Sequence, residues 1–188
     1  MSQQRCAWAN PANPLYLQYH DHEWGVPCHD ELRLFEMLNL EGAQAGLSWE
    51  TVLNKRENYR LAFDAWDADK IALYDEVKIE ELMQNAGIIR NRLKIQSAIL
   101  NAKAYLQLRA EVGGLDAYLW AHVQGRPILN SGERIVTTAL SDQISRDLKK
   151  RGFKFVGSTI IYAYMQAIGM VNDHAHDCAW RATSVAGT

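Results

Sequence analysis

Apolar positions recur every three or four residues along most of the chain, the period of helices packed on one face. Residues 30–41 place Leu32, Phe35, Met37, Leu38 and Leu40 at that spacing, behind Asp30, a residue type that caps helix N-termini. Gly42 and Gly46 then loosen the chain, and Ser48 is placed to cap a new helix with Glu50 in its first turn. Residues 78–86 and 93–109 read as a helix pair around Asn85-Ala-Gly-Ile-Ile-Arg-Asn-Arg-Leu-Lys94, and Gly113-Gly114 ends the second helix. Further helices are predicted at 115–123, at 141–151 behind Ser141-Asp142, and at 158–169. The stretch 124–140 is the least regular, and strand signals are few and short. Nothing repeats and no low-complexity linker divides the chain, so the pattern predicts one all-α domain over 1–188.

Composition changes this picture little. With 188 residues, 48% hydrophobic and 22% charged, the chain has enough apolar side chains for a proper core. No apolar run approaches the roughly 18 residues of a membrane span, and the N-terminal segment lacks the apolar centre of a secretion signal. A soluble, cytoplasmic protein is expected. The net charge of -2 announces no nucleic-acid partner, so DNA binding would need a local basic surface.

Cys6, Cys28 and Cys178 are odd in number and far apart, which argues against a disulfide framework and leaves metal ligation or burial. On a helix, His174 and Cys178 would share one face. With Cys6 and His20 they make a Cys₂His₂ set, a common arrangement for structural zinc that would clasp the two ends of the chain together. Tight CxxC pairs are missing, so spacing alone favours burial over zinc. His22 and His176 are rival ligands, although on a helix His176 would point about 160° from Cys178. Four protein ligands would fill the coordination sphere. The string His20-Asp-His22-Glu23 invites instead a metal-dependent hydrolase, which needs an open position, and no HExxH is present.

The 80–101 segment reads as helix, glycine-containing hairpin and helix. Free N–H groups beginning the second helix suit a DNA phosphate, with Gly87 in the turn and Arg90, Arg92 and Lys94 adding charge. A second basic cluster follows at Lys149-Lys-Arg-Gly-Phe-Lys154. Taken singly, each reads as a solvated turn or a helix C-terminus favouring cations. Together they leave DNA binding and solvation evenly matched.

Trp8, Tyr16, Tyr19, Trp24 and Trp49 crowd the first quarter of the chain, and any one of them alone reads as core. Glu41 precedes Gly-Ala-Gln-Ala-Gly. In a continuous helix it would lie about 12 Å along the axis from Trp49, so the two converge only if the chain bends at Gly42 to Gly46. A carboxylate beside aromatic rings is a receptor for a flat cationic base: stacking contributes about 0.5–2 kcal/mol and a charged hydrogen bond about 1.5–3 kcal/mol. The bland alternative is a solvated helix-terminal glutamate.

Long phrases of the chain resemble the 3-methyladenine DNA glycosylase I family. They are Arg5-Cys-Ala-Trp8, Tyr16-Leu-Gln-Tyr-His-Asp-His-Glu-Trp-Gly-Val-Pro27, Leu34-Phe-Glu-Met37, Leu40-Glu-Gly-Ala-Gln-Ala-Gly-Leu-Ser-Trp49, Lys55-Arg-Glu-Asn-Tyr59, Lys149-Lys-Arg-Gly-Phe-Lys-Phe-Val-Gly157 and Val171-Asn-Asp-His174. The likeness runs from about residue 4 to 178. It departs at Ala43, where the family usually has Gln, and along 124–140. The resemblance implies an α-helical fold of the helix-hairpin-helix glycosylase group with structural zinc on Cys6, His20, His174 and Cys178, reversing the preference for burial. It further implies a base pocket of Glu41, Tyr16, Tyr19 and Trp49 with Trp8 and Trp24 around it, and Leu47 filling the gap left by an extruded base.

The implied activity is base-excision repair: hydrolysis of the N-glycosidic bond of 3-methyladenine in double-stranded alkylated DNA, with free 3-methyladenine as product. Glu41 is the one candidate for a part in bond cleavage. The resemblance implies that the family lacks, in the usual place, the Asp and Lys of its wider fold group, so no strand cleavage is expected. A bacterial, nucleoid-associated monomer with no membrane partner completes the expectation. Two alternatives compete: a zinc-stabilised sensor of alkylated DNA that releases no base, and the metal-dependent hydrolase.

Overall fold

In the computed structural model, which describes residues 4–182, ten α-helices form between Pro14 and Ala167, joined by one short parallel strand pair. The two ends of the expected 1–188 domain, residues 1–3 and 183–188, lie outside the described residues. The chain is mostly helical, as the periodicity predicts. No helix among the described residues is long and apolar enough to cross a membrane.

The pivot is α2 (Glu31–Ala43). Asp30 caps it as expected, accepting from the Arg33 N–H at 2.8 Å. Every residue from Leu34 to Ala43 is buried, while Leu32, assigned to the apolar face by its spacing, is exposed. The reason is that α2 is covered on several sides, by α7 (Arg92–Val112), α8 (Leu115–Ala121) and α10 (Ser158–Ala167), so its pattern is no longer one-sided. Its polar residues are matched inside. Glu36 pairs with Arg56 at 2.7 Å and Arg60 at 2.7 Å. Asn39 accepts from Asn101 at 3.0 Å, and Asn101 also accepts the Lys154 N–H at 2.7 Å.

Around this pivot, α1 (Pro14–His22) starts behind an Asn13 cap with proline at its first position. Ser48 caps α3 (Trp49–Asn54) as predicted. The helices α4 (Arg56–Ala62) and α5 (Ala68–Ile71) were not evident from periodicity. The predicted helix pair is α6 (Glu76–Gln84) and α7, joined by residues 85–91. Helix α9 (Ala139–Lys150) begins before Ser141: Thr138 is its cap, and Ser141 returns the bond to the Thr138 N–H in a capping box.

Two differences bear on the site. The irregular stretch 124–140 contains β1 (Ile128–Leu129), paired in parallel with β2 (Val171–Asn172). Residues 174–178, read above as helical, instead form a turn in which the Cys178 N–H reaches the Ala175 carbonyl at 3.0 Å. The segment after α1 packs against the end of α10 at Gly169, whose φ is +71° and whose missing Cβ would fall 2.0 Å from the Val26 carbonyl carbon. Only glycine permits that approach. It lets residues 25–28 lie along the end of α10, with Gly25 N–H on Gln166 O at 2.9 Å and Cys28 N–H on Ile168 O at 2.9 Å.

Candidate active site and metal cluster

The bend after α2 brings Glu41 and Trp49 to one cleft of about 800 Å³. Helix α1 contributes Tyr16 and Tyr19 to it from one face, and the segments on either side of α1 supply Trp8 and Trp24. The rings meet in two groups along the cleft. Trp8 lies 5.3 Å from Tyr16 and 4.8 Å edge-on from Trp24, and Tyr19 lies 5.4 Å from Trp49. The Trp49 indole N–H is buried and has no hydrogen-bond partner among the described residues. All six residues of the sequence-predicted pocket therefore line one space.

Glu41 is 4% exposed, and no hydrogen bond or ion pair reaches its carboxyl among the described residues. Burial alone pushes it up to about 8. Such a group departs from the rule that buried charges are matched, as they are at Glu36 on the same helix. The solvated-glutamate alternative does not hold.

The rest of the lining was not read from the sequence. Helix α10 presents Thr159, Tyr162, Ala163 and Gln166 to the cleft, the i, i+3, i+4, i+7 stripe of one helical face. Asp173, just after β2, joins them, and residues 132–136 complete this side. A signal existed: Asp173 lies within the phrase Val171-Asn-Asp-His174, beside the candidate ligand histidine.

Behind the aromatic wall, Cys6, His20, His174 and Cys178 place one ligand atom each within 4.8 Å of all the others. All four are buried, and together they can hold a metal ion. The His174 Nδ1 lies 3.5 Å from the Cys6 Sγ and 3.3 Å from the Cys178 Sγ, while His20 Nε2 lies 3.6 Å from the Cys178 Sγ. The far ring nitrogens are fixed from outside: His20 Nδ1–H donates to Asp21 at 2.7 Å, and His174 Nε2–H donates to the Trp24 carbonyl at 3.0 Å. Arg5 in turn clamps Asp21. These outer contacts leave the inner nitrogens as lone-pair donors. Burial, with His20 adding to it, lowers His174 to about 4, keeping its ring neutral. The rivals His22 and His176 are both exposed. With the turn in place of a helix, it is this burial, and not helical phase, that separates His174 from His176.

Sequence and structure comparisons converge on one group. The Methyladenine glycosylase family model matches residues 8–182. The chain belongs to the methyladenine glycosylase family. It is 50% identical over 179 residues to DNA-3-methyladenine glycosylase 1 of Escherichia coli (strain K12), covering 93% of this chain and 95% of that one. It is also 45% identical over 178 residues to DNA-3-methyladenine glycosylase of Haemophilus influenzae, covering 93% and 96%. Among solved structures it superposes with a TM-score of 0.90 on a crystal structure of 3-methyladenine DNA glycosylase I, at 49% identity over 94% of this chain and 98% of that one. The enzyme from Staphylococcus aureus, solved for its recognition of 3-methyladenine, matches with a TM-score of 0.90 at 34% identity over 96% and 98%.

In this methyladenine glycosylase the hairpin side chains have distinct surroundings. The Gly87 N–H is taken by the Asn85 side chain at 2.8 Å. Asn91 caps α7 through the Lys94 N–H at 3.1 Å. Arg92 pairs with Glu76 and Glu80 of α6, and Arg90 is exposed. Lys94 turns inward instead: its Nζ donates to the Ala43 carbonyl at 2.8 Å and the Ala45 carbonyl at 2.6 Å, binding the elbow after α2. Leu47 is 39% exposed beyond that elbow.

Proposed function

We propose that this methyladenine glycosylase hydrolyses the N-glycosidic bond of 3-methyladenine in alkylated DNA, with the flipped base seated against the aromatic wall and read by Glu41. The observation that carries this reading is the unmatched, buried Glu41 carboxyl beside Tyr19 and Trp49, in a chain of this family. A carboxyl pushed up to about 8 is mostly neutral at pH 7. In that form its O–H can donate to adenine N7 while its carbonyl accepts from the N6 amino group, matching the two edge atoms that mark adenine. A neutral Glu41 also holds no charge against departure of the cationic base, so its task is recognition more than bond cleavage. Methylation at N3 already makes the base a good leaving group, and the protein has chiefly to flip, hold and expose the sugar to water.

On the DNA side, the α6–α7 unit serves as a helix-hairpin-helix element, with Gly87 and Arg90 toward the phosphates and Leu47 toward the vacated stack. Arg92 reaches phosphate only by giving up its glutamates. Lys94 acts by fixing the elbow that carries Leu47.

The metal that suits the cluster is zinc. Tetrahedral zinc with Zn–S of about 2.3 Å and Zn–N of about 2.0 Å requires S···N edges of roughly 3.5 Å. The observed 3.3–3.6 Å edges meet that requirement. When bound, the ion would supply structure, since Cys6, His20, His174 and Cys178 fill its coordination sphere.

Incubation with methylated duplex DNA, followed by chromatography of released bases with and without chelator, tests this reading. Free 3-methyladenine should appear with no strand cleavage and no borohydride-trapped adduct. Binding to methylated DNA without release would make the chain a damage sensor, and a trapped adduct would overturn the monofunctional assignment.

A further inference from the structure

Beside Tyr162 and Gln166 the cleft holds a carboxylate that base recognition leaves unused. Asp173 accepts from Tyr162 Oη at 2.5 Å and Gln166 Nε2 at 2.7 Å on one oxygen, and from Asn130 Nδ2 on the other. Asn130 also donates to Tyr162 Oη at 2.9 Å, so the three donors form one braced set. Each comes from a different part of the fold or a different turn: Asn130 follows β1, while Tyr162 and Gln166 stand one helical turn apart on α10. Asp173, Tyr162 and Gln166 all line the cleft.

Three features set Asp173 apart from a structural ion pair. All its described hydrogen-bond partners are neutral, whereas Glu23, Glu36 and Asp21 each meet an arginine. It accepts three hydrogen bonds and donates none, the pattern of an ionised carboxylate. A carboxylate has about four acceptor positions, so three bonds leave one for a further donor. The side chain is only half-buried, on the cleft side, where water has access.

We propose that Asp173 is a catalytic residue that holds the attacking water, resting on the glycosylase reading above. The free acceptor position takes one water hydrogen and orients the oxygen lone pair toward C1′ of the flipped nucleotide. The C1′–N9 bond breaks with its electron pair leaving on the base, which becomes neutral 3-methyladenine. The water oxygen bonds to C1′, and its proton passes to Asp173 and then to solvent, regenerating the carboxylate. Tyr162, Gln166 and Asn130 are positioning residues that aim Asp173. Glu41 and Asp173 thus divide the work, Glu41 on the base edge and Asp173 on the water.

The test measures single-turnover base release from methylated duplex DNA for the parent protein, Asp173→Asn and Tyr162→Phe, with free 3-methyladenine affinity and metal content measured beside it. A positioned general base contributes typically 10²–10⁴-fold, so Asp173→Asn should slow release by about 100-fold or more. Its base affinity should stay within about threefold and its metal content unchanged. Tyr162→Phe keeps the charge and should lose less than about tenfold. Release by Asp173→Asn within threefold of the parent overturns the proposal, and so does a parallel loss of rate and base affinity, which would make Asp173 a latch or a base contact.

Because Asp173 adjoins His174, a second measurement needs no variant at all. In water–methanol mixtures a held water should exclude methanol, and the parent should yield the hydrolysis product without the methyl glycoside. Methyl glycoside in proportion to solvent composition would sink the idea. A parent that releases no base at all would sink the glycosylase reading itself, whereas base release with methanolysis sinks only the role of Asp173.

Discussion

At the scale of single residues, Glu41 shows a function bought with stability. Its carboxyl rises from the ordinary 4.5 to about 8 through burial. The folded chain therefore binds a proton more tightly than the unfolded chain, so this contribution is complete below about pH 4.5 and is lost as pH rises through 8. Tyr16 and Tyr19 beside it are raised by burial first and stay neutral across that window. Glu41→Gln should hence be more stable than the parent at pH 9, by on the order of a few kcal/mol, with almost no difference at pH 4.5. For a chain of this size that corresponds to roughly 5–10 °C in Tm at pH 9. Glu41→Ala, which removes both the donor and the acceptor, should weaken free 3-methyladenine binding by tenfold or more, whereas the Glu41→Gln amide offers the same pair and should keep most of it; parent affinity should decline above pH 8. Calorimetry across pH 5–9 decides both points: equal Tm of Glu41→Gln and the parent at pH 9, or unchanged affinity in Glu41→Ala, would take Glu41 out of the pocket. The residue was visible in the sequence as a carboxylate before a glycine elbow. Its isolation inside the protein was not, because burial of α2 on several sides depends on helices distant in the chain.

At the scale of elements, periodicity served best where a helix has one wet face and worst where it has none or is short. Helices α3, α7 and α10 lie close to their predicted positions, with Ser48 capping as expected. Leu32 was placed inward because α2 lacks a consistent polar face. The four residues of α5 are too few to show a period. The hairpin was legible as helix, turn, helix, but spacing treated its basic residues as equivalent. The structure separates them, and salt dependence can register the difference. Arg90, exposed in the turn, should contribute a phosphate contact, so Arg90→Ala should weaken DNA binding and reduce the salt slope by about 1. Lys94 is committed to the Ala43 and Ala45 carbonyls. Lys94→Met should leave the slope unchanged while slowing base release several-fold, because the elbow behind Leu47 is freed. A slope reduced by 1 in Lys94→Met would return that residue to the DNA surface.

At the scale of the whole molecule, the Cys₂His₂ cluster and the cleft share a wall. Cys6 and Ala175 line the cleft, Trp8 packs edge-on to His20 at 5.1 Å, and the Trp24 carbonyl accepts from His174. Arg181 bonds the His174 carbonyl and the Asn130 carbonyl, so the same turn steadies the segment leading to residues 132–136. The cluster was legible as four residue types, yet the helical phase used to choose among histidines was wrong for residues 174–178, which form a turn. What selects His174 is a contact across 150 residues to Trp24, which no local pattern reports. Removal of the zinc proposed for this cluster should therefore act on recognition as well as on stability. Two buried sulfurs and two imidazoles left without a cation no longer hold the N-terminal segment and the 174–178 turn in register, and Trp8 and Trp24 move with them. Helices α6 and α7 contribute none of the four ligands and should persist. With a strong chelator, free 3-methyladenine affinity should fall by tenfold or more and Tm should drop by several degrees, while far-ultraviolet ellipticity stays near the holo value. Zinc, added back, should restore affinity and Tm together. Full base affinity in a protein shown by elemental analysis to be metal-free would confine the cluster to a clasp between the chain ends, with no hold on the pocket.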